Sequence, residues 1–200
     1  MSMPKKRVSV GKGKKKRKEK QWYKVLASPD FDEKQIGEAL AYDPNKLIGK
    51  KVNTSLQNIT GNLKQTHIKL TFRIKEVVGS EAKTQFVGHS LASDYVRRLT
   101  RKGRKKIDSS FEVETKNGIK IRVKPFVITF KRIQTSKQKA IRRLVQEEIR
   151  EFSKEREFDE LVKAVVSSEL ATHCYGVCKK VATIRRIEMW KSQVLPAVKS

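Results

Sequence analysis

Cysteine, aromatic residues and acids are all scarce in this sequence. Its 200 residues include two cysteines and two tryptophans, and aromatic residues make up 7% of the chain. Two cysteines are too few for a disulfide framework, and the first 20 residues lack the apolar core of a signal peptide. No apolar run approaches the roughly 20 residues of a membrane-spanning helix. We therefore expect a cytoplasmic protein that is neither secreted nor inserted in a membrane.

The motifs that carry enzymatic chemistry are also missing. The sequence has no glycine-rich phosphate loop and no nucleophile motif, and cross-strand pairing or solvation accounts for the acids at 108–114. Cys174 and Cys178 lie four positions apart beside His173. A structural zinc site needs about four ligands, however, and the sequence supplies no second pair. We predict no enzymatic activity, metal ion, cofactor or small-molecule substrate.

Positive charge is what the sequence has in excess. Lysine and arginine total 47 against 21 acids, giving a formal net charge of +26 and a pI near 10.2. Residues 1–20 hold ten of the basic residues and one acid, so the rest of the chain keeps 37 basic and 20 acidic residues. A targeting or membrane-surface tail would not need a basic body as well. The charge therefore predicts that RNA contacts both parts of the chain.

Two regions can be separated by composition. Residues 1–20 are almost free of apolar side chains, which predicts a disordered basic extension that becomes ordered on RNA. The hydrophobic content of 37% supports a modest core, and no linker is long enough to divide residues 21–200. We predict a single α+β domain in residues 21–200.

Alternating and β-branched segments predict the strands. Residues 22–26, 46–59, 65–78, 84–90 and 184–194 each fit a strand. In the third of these, alternation predicts the inward positions Ile68, Leu70, Phe72 and Ile74.

The register of a hairpin around Asn117 and Gly118 can be predicted from its two faces. A two-residue turn would set Val113 opposite Arg122 and mix apolar with charged side chains. A three-residue loop with left-handed Gly118 instead sets Val113 opposite Ile121, so that both faces agree. We predict the three-residue loop.

The chain after this hairpin is predicted to form a buried strand and then helices. Phe126, Val127, Ile128 and Phe130 fit a strand buried on both faces, after Pro125 at a bulge or edge. A helix capped by Thr135 or Ser136 carries an inward stripe of Ile141, Leu144, Val145, Ile149 and Phe152. Shorter helices are predicted at 159–167 and after 168. Earlier in the chain, Ser93 is expected to cap a short helix through Arg101. Because Phe72, Phe111, Phe126 and Phe130 lie on apolar, core-facing patterns, Trp22 and Trp190 are the candidates for stacking on RNA bases.

Three groups of basic residues are the candidate RNA-binding residues. The basic extension contributes Lys5, Lys6, Arg7, Lys12, Lys14, Lys15, Lys16, Arg17 and Lys18. The second group, the 97–106 cluster, comprises Arg97, Arg98, Arg101, Lys102, Arg104, Lys105 and Lys106. The third group, the 120–143 cluster, comprises Lys120, Arg122, Lys124, Lys131, Arg132, Lys137, Lys139, Arg142 and Arg143.

The surroundings of the third group make it the strongest of these signals. It lies in a stretch from Thr115 to Gln146 that contains no acid. Lysines and arginines around the start of the predicted helix would strengthen its N-terminus as a phosphate site. Residues 147–169 then hold eight acids against four basic residues, which predicts a side that faces away from RNA.

Several segments together resemble a known family. They are Lys20–Val25 with Pro29 and Phe31, Ile48–Val52, Thr135–Arg143 and Arg185–Glu188. In combination they resemble the archaeal and eukaryotic small-subunit ribosomal proteins of the S-three-A-e family, also called eukaryotic-type S-one. The short stretch after Val194 is more similar to archaeal than to eukaryotic members.

The resemblance implies both a fold and a place of action. It implies a curved, barrel-like, mostly antiparallel sheet with C-terminal helices, in a structural protein without catalytic residues. It also implies a position in the cytoplasmic ribosome, on the platform of the small subunit near the mRNA exit. The implied partners are small-subunit rRNA, neighbouring platform proteins and, at the exit, mRNA. The charge pattern alone leaves open a free RNA-binding regulator or RNA chaperone acting off the ribosome.

Overall fold

A computed structural model describes residues 19–196 of the chain. Its strands are β1 Gln21–Leu26, β2 Gln35–Ala41, β3 Lys51–Ser55, β4 Ile68–Val78, β5 Glu81–Leu91, β6 Lys106–Asp108, β7 Phe111–Glu114, β8 Lys120–Thr129 and β9 Ile184–Val194. Its α-helices are α1 Leu56–Thr60, α2 Ser93–Leu99, α3 Thr135–Glu155, α4 Phe158–Val166 and α5 Glu169–Cys178. The α+β class and the C-terminal helices are confirmed.

The nine strands form one mostly antiparallel sheet built around two long ribbons. In the first ribbon β4 covers one edge of β5, and the other edge is shared between β1, which is parallel to it, and β9. In the second ribbon β9 lies along one edge of β8, and β6 and β7 share the other. Within residues 19–196 the outer strands do not pair with one another, so the expectation of a barrel-like sheet is wrong on this point: the sheet stays open.

The predicted hairpin register is confirmed. Val113 lies opposite Ile121, and Glu112 lies opposite Arg122. The amide of Thr115 donates to the Ile119 carbonyl at 3.1 Å, and Gly118 takes φ +73°. The turn therefore has the left-handed glycine that the three-residue loop requires.

The strand predicted over 46–59 is too long. Only Lys51–Ser55 is extended, and α1 follows at once. Leu56 and Ile59 are both buried, and a three-residue spacing puts two side chains on one face of a helix rather than of a strand. The other four predicted strands are present as β1, β4, β5 and β9.

The buried run at the end of β8 stops one residue before Phe130. Phe126, Val127 and Ile128 are buried as predicted, and the register shifts at Pro125, as expected of a bulge. Phe130 is 51% exposed, so its assignment to the core is wrong. β8 ends at Thr129, where the chain turns and the Thr129 hydroxyl donates to the Lys131 carbonyl at 2.6 Å.

The helices pack on the second ribbon through their apolar stripes. Ile141, Val145, Ile149 and Phe152 of α3 are buried, whereas Leu144 is half-buried. The predicted caps are wrong: Gln134, one residue before Thr135 and two before Ser136, is the N-cap residue of α3, and Ala92 rather than Ser93 is that of α2. Helix α2 ends at Leu99 rather than at Arg101. A large apolar cluster fills the space between helices and sheet, and a smaller one lies around Tyr23, Leu47 and Ile74.

The crossing of β5 and β9 joins the two ribbons and is unusually close. It consists of three residue pairs, and Gly88 stands where a Cβ atom would come 2.2 Å from the Ser192 carbonyl oxygen. Only glycine allows this approach without a shift of the backbone. The position of β9, and of Arg185 near its start, therefore depends on Gly88.

Candidate RNA-binding surface

The 97–106 cluster lies beside the ends of β8 and β9. Lys106 pairs with Ile128, and the Lys105 carbonyl accepts the Thr129 amide at 3.0 Å. Arg104 is partly buried, and its pKa is lowered by desolvation and then by the charges of Arg185 and Arg101. The loop after α2 and the first residues of β9 thus form one cationic region.

Arg185 connects this region to the chain that follows β8. Its guanidinium lies 5.8 Å from the centroid of the Phe130 ring. Lys131 and Arg132 follow Phe130 directly and are exposed. Arg185 lies outside the basic clusters predicted from the sequence, although it belongs to the Arg185–Glu188 segment that carries the resemblance.

The start of α3 continues the cationic region. Lys137, Lys139 and Arg143 are exposed, and α3 has no acid in its first turn. The Arg142 side chain is fixed by a hydrogen bond, in which its Nε donates to the Asp108 carbonyl at 3.1 Å. The positive end of the helix dipole adds to these charges and favours bound phosphate.

We call this continuous region, from Arg97 to Lys106 with Arg185 and the chain from Lys131 to Arg143, the basic edge. Several of its cations have no carboxylate within ion-pair distance anywhere in residues 19–196: Arg98, Arg101, Lys102, Arg104, Lys105, Lys131, Arg132, Lys137, Lys139, Arg142 and Arg185. The exceptions are surface pairs, such as Arg97 with Asp94 at 3.9 Å and Arg143 with Glu147 at 2.9 Å. Exposed pairs of this kind are weak, and phosphates can replace the carboxylates.

The hairpin is separated from the basic edge, so the structure divides the 120–143 cluster. The Lys116 amide donates to the Arg156 carbonyl at 3.2 Å, just past the far end of α3. The ten residues of β8 then span about 30 Å at roughly 3.3 Å per residue. Arg122 is paired with Glu112 at 2.7 Å, and Lys120 lies opposite Glu114. Lys120, Arg122 and Lys124 therefore form a second, partly neutralised patch.

Acids gather toward the far end of α3, in the segment 147–169 that holds eight acids against four basic residues. Glu148 lies 3.5 Å from His173, and Arg156 lies 3.1 Å from Glu169. Burial and then the neighbouring charge of Asp30 raise the pKa of Asp159. Charge thus changes sign along α3.

The tryptophans and histidines occupy different environments. Trp22 is 64% exposed, and Trp190 is 39% exposed with the Lys106 ammonium 4.7 Å from its ring. His67 stacks on Tyr95 at 3.9 Å, whereas His89 is fully enclosed between β5 and β9. Both tryptophans are therefore accessible to a partner.

The cysteines are buried and not bonded to each other. Burial raises the pKa of the Cys174 thiol to about 12 and that of Cys178 to about 11. Across residues 19–196, no three His, Cys, Asp or Glu side chains are grouped so that they could hold a metal ion. No helix of that part is long and apolar enough to cross a membrane.

The candidate residues of the basic extension, from Lys5 to Lys18, lie outside the described residues. Of that end of the chain only Glu19 and Lys20 are described, and the Lys20 ammonium lies 5.3 Å from the Tyr42 ring. Lys179 and Lys180, which lie outside the basic clusters predicted from the sequence, face the start of α3 across a cavity. The adjacent pair Lys179-Lys180 was the available signal in the sequence, but it is too short to form a basic cluster of its own.

The fold and the basic edge define a class of protein: an α+β protein whose surface carries unpaired cations beside helix N-terminal amides, the features of a polyanion-binding surface. Comparison with known sequences narrows the class. The sequence model of the Ribosomal S3Ae family matches residues 9–197. The chain belongs to this family.

Curated relatives from archaea support the assignment. The chain is 39% identical to the protein named small ribosomal subunit protein eS1 of Methanothermobacter thermautotrophicus, over 89% of this chain and 91% of that protein. It is 39% identical to the protein of the same name from Methanobrevibacter smithii, over 89% of this chain and 92% of the relative. For that of Desulfurococcus amylolyticus the identity is 40%, over 89% and 84% of the two chains. The recognised resemblance is therefore confirmed.

Proposed function

We propose that this chain is a structural constituent of the small ribosomal subunit that binds rRNA through its basic edge and supports translation in the cytoplasm. The observation that carries the proposal is the set of exposed cations on the basic edge that have no ion-pair partner within residues 19–196, among them Arg98, Lys131, Arg132, Lys137 and Arg185. Membership of the Ribosomal S3Ae family and relatives named as small-subunit proteins support it. Neutralising phosphates requires no chemistry, so the proposed role is structural and not enzymatic.

The finer assignments are part of the same proposal. Residues 21–200 act as one RNA-binding domain, and residues 1–20 act as a basic extension that contacts rRNA. The protein sits on the platform near the mRNA exit, beside neighbouring ribosomal proteins. The accessible Trp22 and the acid-rich end of α3 are the surfaces that suit protein neighbours.

A charge-reversal experiment tests where rRNA binds. Arg142 is a poor position for it, because its bond to the Asp108 carbonyl also holds α3 against β6. The informative variant is Lys131→Glu with Arg132→Glu, since both side chains are exposed. Lys154→Glu with Lys163→Glu is the matched control, because it makes the same change in net charge at exposed positions toward the acidic side.

The readout is incorporation of the tagged full-length chain into small subunits on a sucrose gradient. We expect the Lys131 and Arg132 variant to lower the incorporated fraction by about tenfold and to flatten its salt dependence, because two phosphate contacts are lost. The control variant should incorporate normally. Equal effects of the two variants would contradict the assignment of the basic edge. A wild-type chain that stays in the light fractions at moderate salt would instead indicate an RNA regulator acting off the ribosome.

A further inference from the structure

A cavity opens at the basic edge between two loops. It is about 620 Å³ and is lined by the chain from Phe130 to Ile133, by Lys137 in the first turn of α3, and by residues 179–183 between α5 and β9. This volume falls within the roughly 300–1,000 Å³ of pockets that hold small organic groups. The buried Gln138 side chain donates to the Ile133 carbonyl at 2.9 Å and fixes this part of the cavity wall.

The lining of the cavity selects an anion. Lys131, Arg132, Lys137, Lys179 and Lys180 contribute side chains to it, and no acid lines it. None of these five has an ion pair with another residue of the described chain, 19–196. The N-terminus of α3 lies beside them without a side-chain cap, so its first amides are free to bind a phosphate oxygen.

The cavity lining also contains an aromatic side chain, Phe130, which does not bind a phosphate. Phe130 is 51% exposed at the cavity, and the Arg185 guanidinium lies 5.8 Å from its ring. An exposed aromatic ring beside an arginine provides two flat surfaces on which a nucleobase can stack. A continuous RNA double helix cannot use them, because its base faces are covered by neighbouring bases.

We propose that this cavity binds one unstacked nucleotide of single-stranded RNA, with its phosphate at the start of α3 and its base on Phe130. The identity of that RNA as part of the small subunit rests on the proposed function, but the preference for an unstacked nucleotide does not.

The test compares full-length variants on two RNA probes at one fixed salt concentration. Fluorescence anisotropy measures the affinity for a single-stranded decauridylate and for a blunt-ended RNA duplex. We expect Phe130→Ala to weaken binding of the single strand by about tenfold, as expected for the loss of one base–aromatic stack, and to leave duplex binding unchanged. Phe130→Trp, which keeps a stacking surface, should retain the affinity for the single strand.

Two controls separate the cavity from the rest of the surface. Tyr42→Ala removes another aromatic side chain that is 49% exposed, outside the cavity, and should change neither affinity. In wild-type protein, single-stranded RNA containing 5-iodouridine should crosslink on irradiation to the peptide that contains Phe130. Thermal melting checks that each variant folds.

Three outcomes would overturn the inference: an unchanged affinity of Phe130→Ala for the single strand, an equal loss on the duplex, or crosslinks only to other peptides. Failure of the proposed function would look different. The chain would then bind decauridylate in a Phe130-dependent way and still fail to enter small subunits.

Discussion

Stability should depend on pH through His89, at the crossing of β5 and β9. Its Nε2 lies 2.9 Å from the Met189 carbonyl and its Nδ1 lies 2.6 Å from the Ser192 hydroxyl. A carbonyl can only accept, so Nε2 carries the proton and Nδ1 accepts from Ser192. Protonation of Nδ1 would put a positive charge in a buried site and would force the Ser192 hydroxyl to turn its hydrogen away from the ring.

The size of the effect follows from the pKa. Burial lowers the pKa of His89 from 6.5 to about 4, and the bond to Met189 opposes this only in part. Between these values the unfolded chain binds a proton that the folded protein excludes, so the free energy of unfolding falls as the pH falls. At about 1.4 kcal/mol per pKa unit, the fold loses about 3 kcal/mol between pH 7 and pH 4 through this one group.

The assay is urea unfolding of wild-type protein and of His89→Gln at intervals from pH 7 to pH 4. Glutamine can still hydrogen-bond but does not titrate, so the variant is expected to be less stable at pH 7 and to lose about 3 kcal/mol less on acidification. Titration of the histidine ring by NMR gives the pKa of His89 directly. Parallel pH profiles for the two proteins, or a His89 pKa near 6.5, would refute the reasoning.

Three further predictions concern Gly88, the two cysteines and Asp159. Gly88→Ala should lower the free energy of unfolding by about 3 kcal/mol, because a Cβ would lie 2.2 Å from the Ser192 carbonyl oxygen. Gly37→Ala should not destabilise the fold, since a Cβ at that position has no atom within 4 Å. Urea unfolding compares the two variants. Cys174 and Cys178, whose pKa values burial raises to about 12 and about 11, should react with a thiol reagent at pH 8 at least about 100-fold more slowly in folded than in unfolded protein. Similar rates would contradict that burial. Burial and the charge of Asp30 raise the pKa of Asp159, so its ionisation opposes folding as the pH rises. Asp159→Asn should therefore raise the free energy of unfolding at pH 7, by less than about 1 kcal/mol because the carboxyl is mostly exposed, and with it the melting temperature. An unchanged melting temperature would count against this account.

The sequence was sufficient to predict local structure wherever the pattern lies within one segment or two neighbouring segments. Alternation placed Ile68, Leu70, Phe72 and Ile74 inward, and matching faces fixed the hairpin register at Val113 and Ile121. The segment from Leu56 to Ile59 misled the prediction, because five residues are too few for one apolar period to prevail over another. Phe130 misled it because a long apolar run does not mark the residue at which a strand ends.

For the candidate site, the residues that the sequence predicted differ more clearly from those that only the structure identified. Charge counts selected Arg97, Arg101, Lys131 and Lys137, and the structure exposes all four at one edge. The same counts joined Lys120 to the start of α3, although Lys120 begins β8, the start of α3 follows the other end of that strand, and β8 is about 30 Å long at roughly 3.3 Å per residue. Arg185 and Lys179 were missed because they are distant in sequence from the clusters that they join.

By itself, the sequence predicted a partner that is a polyanion and identified the ribosomal family, because net charge and local motifs do not depend on how distant segments meet. Only the tertiary structure decided which cations act together. The pairing of β6 with β8, the short crossing of β5 and β9, and the turn after Thr129 bring Lys105, Arg185 and Phe130 side by side. Such contacts depend on long-range pairing between strands, which no local period in the sequence records.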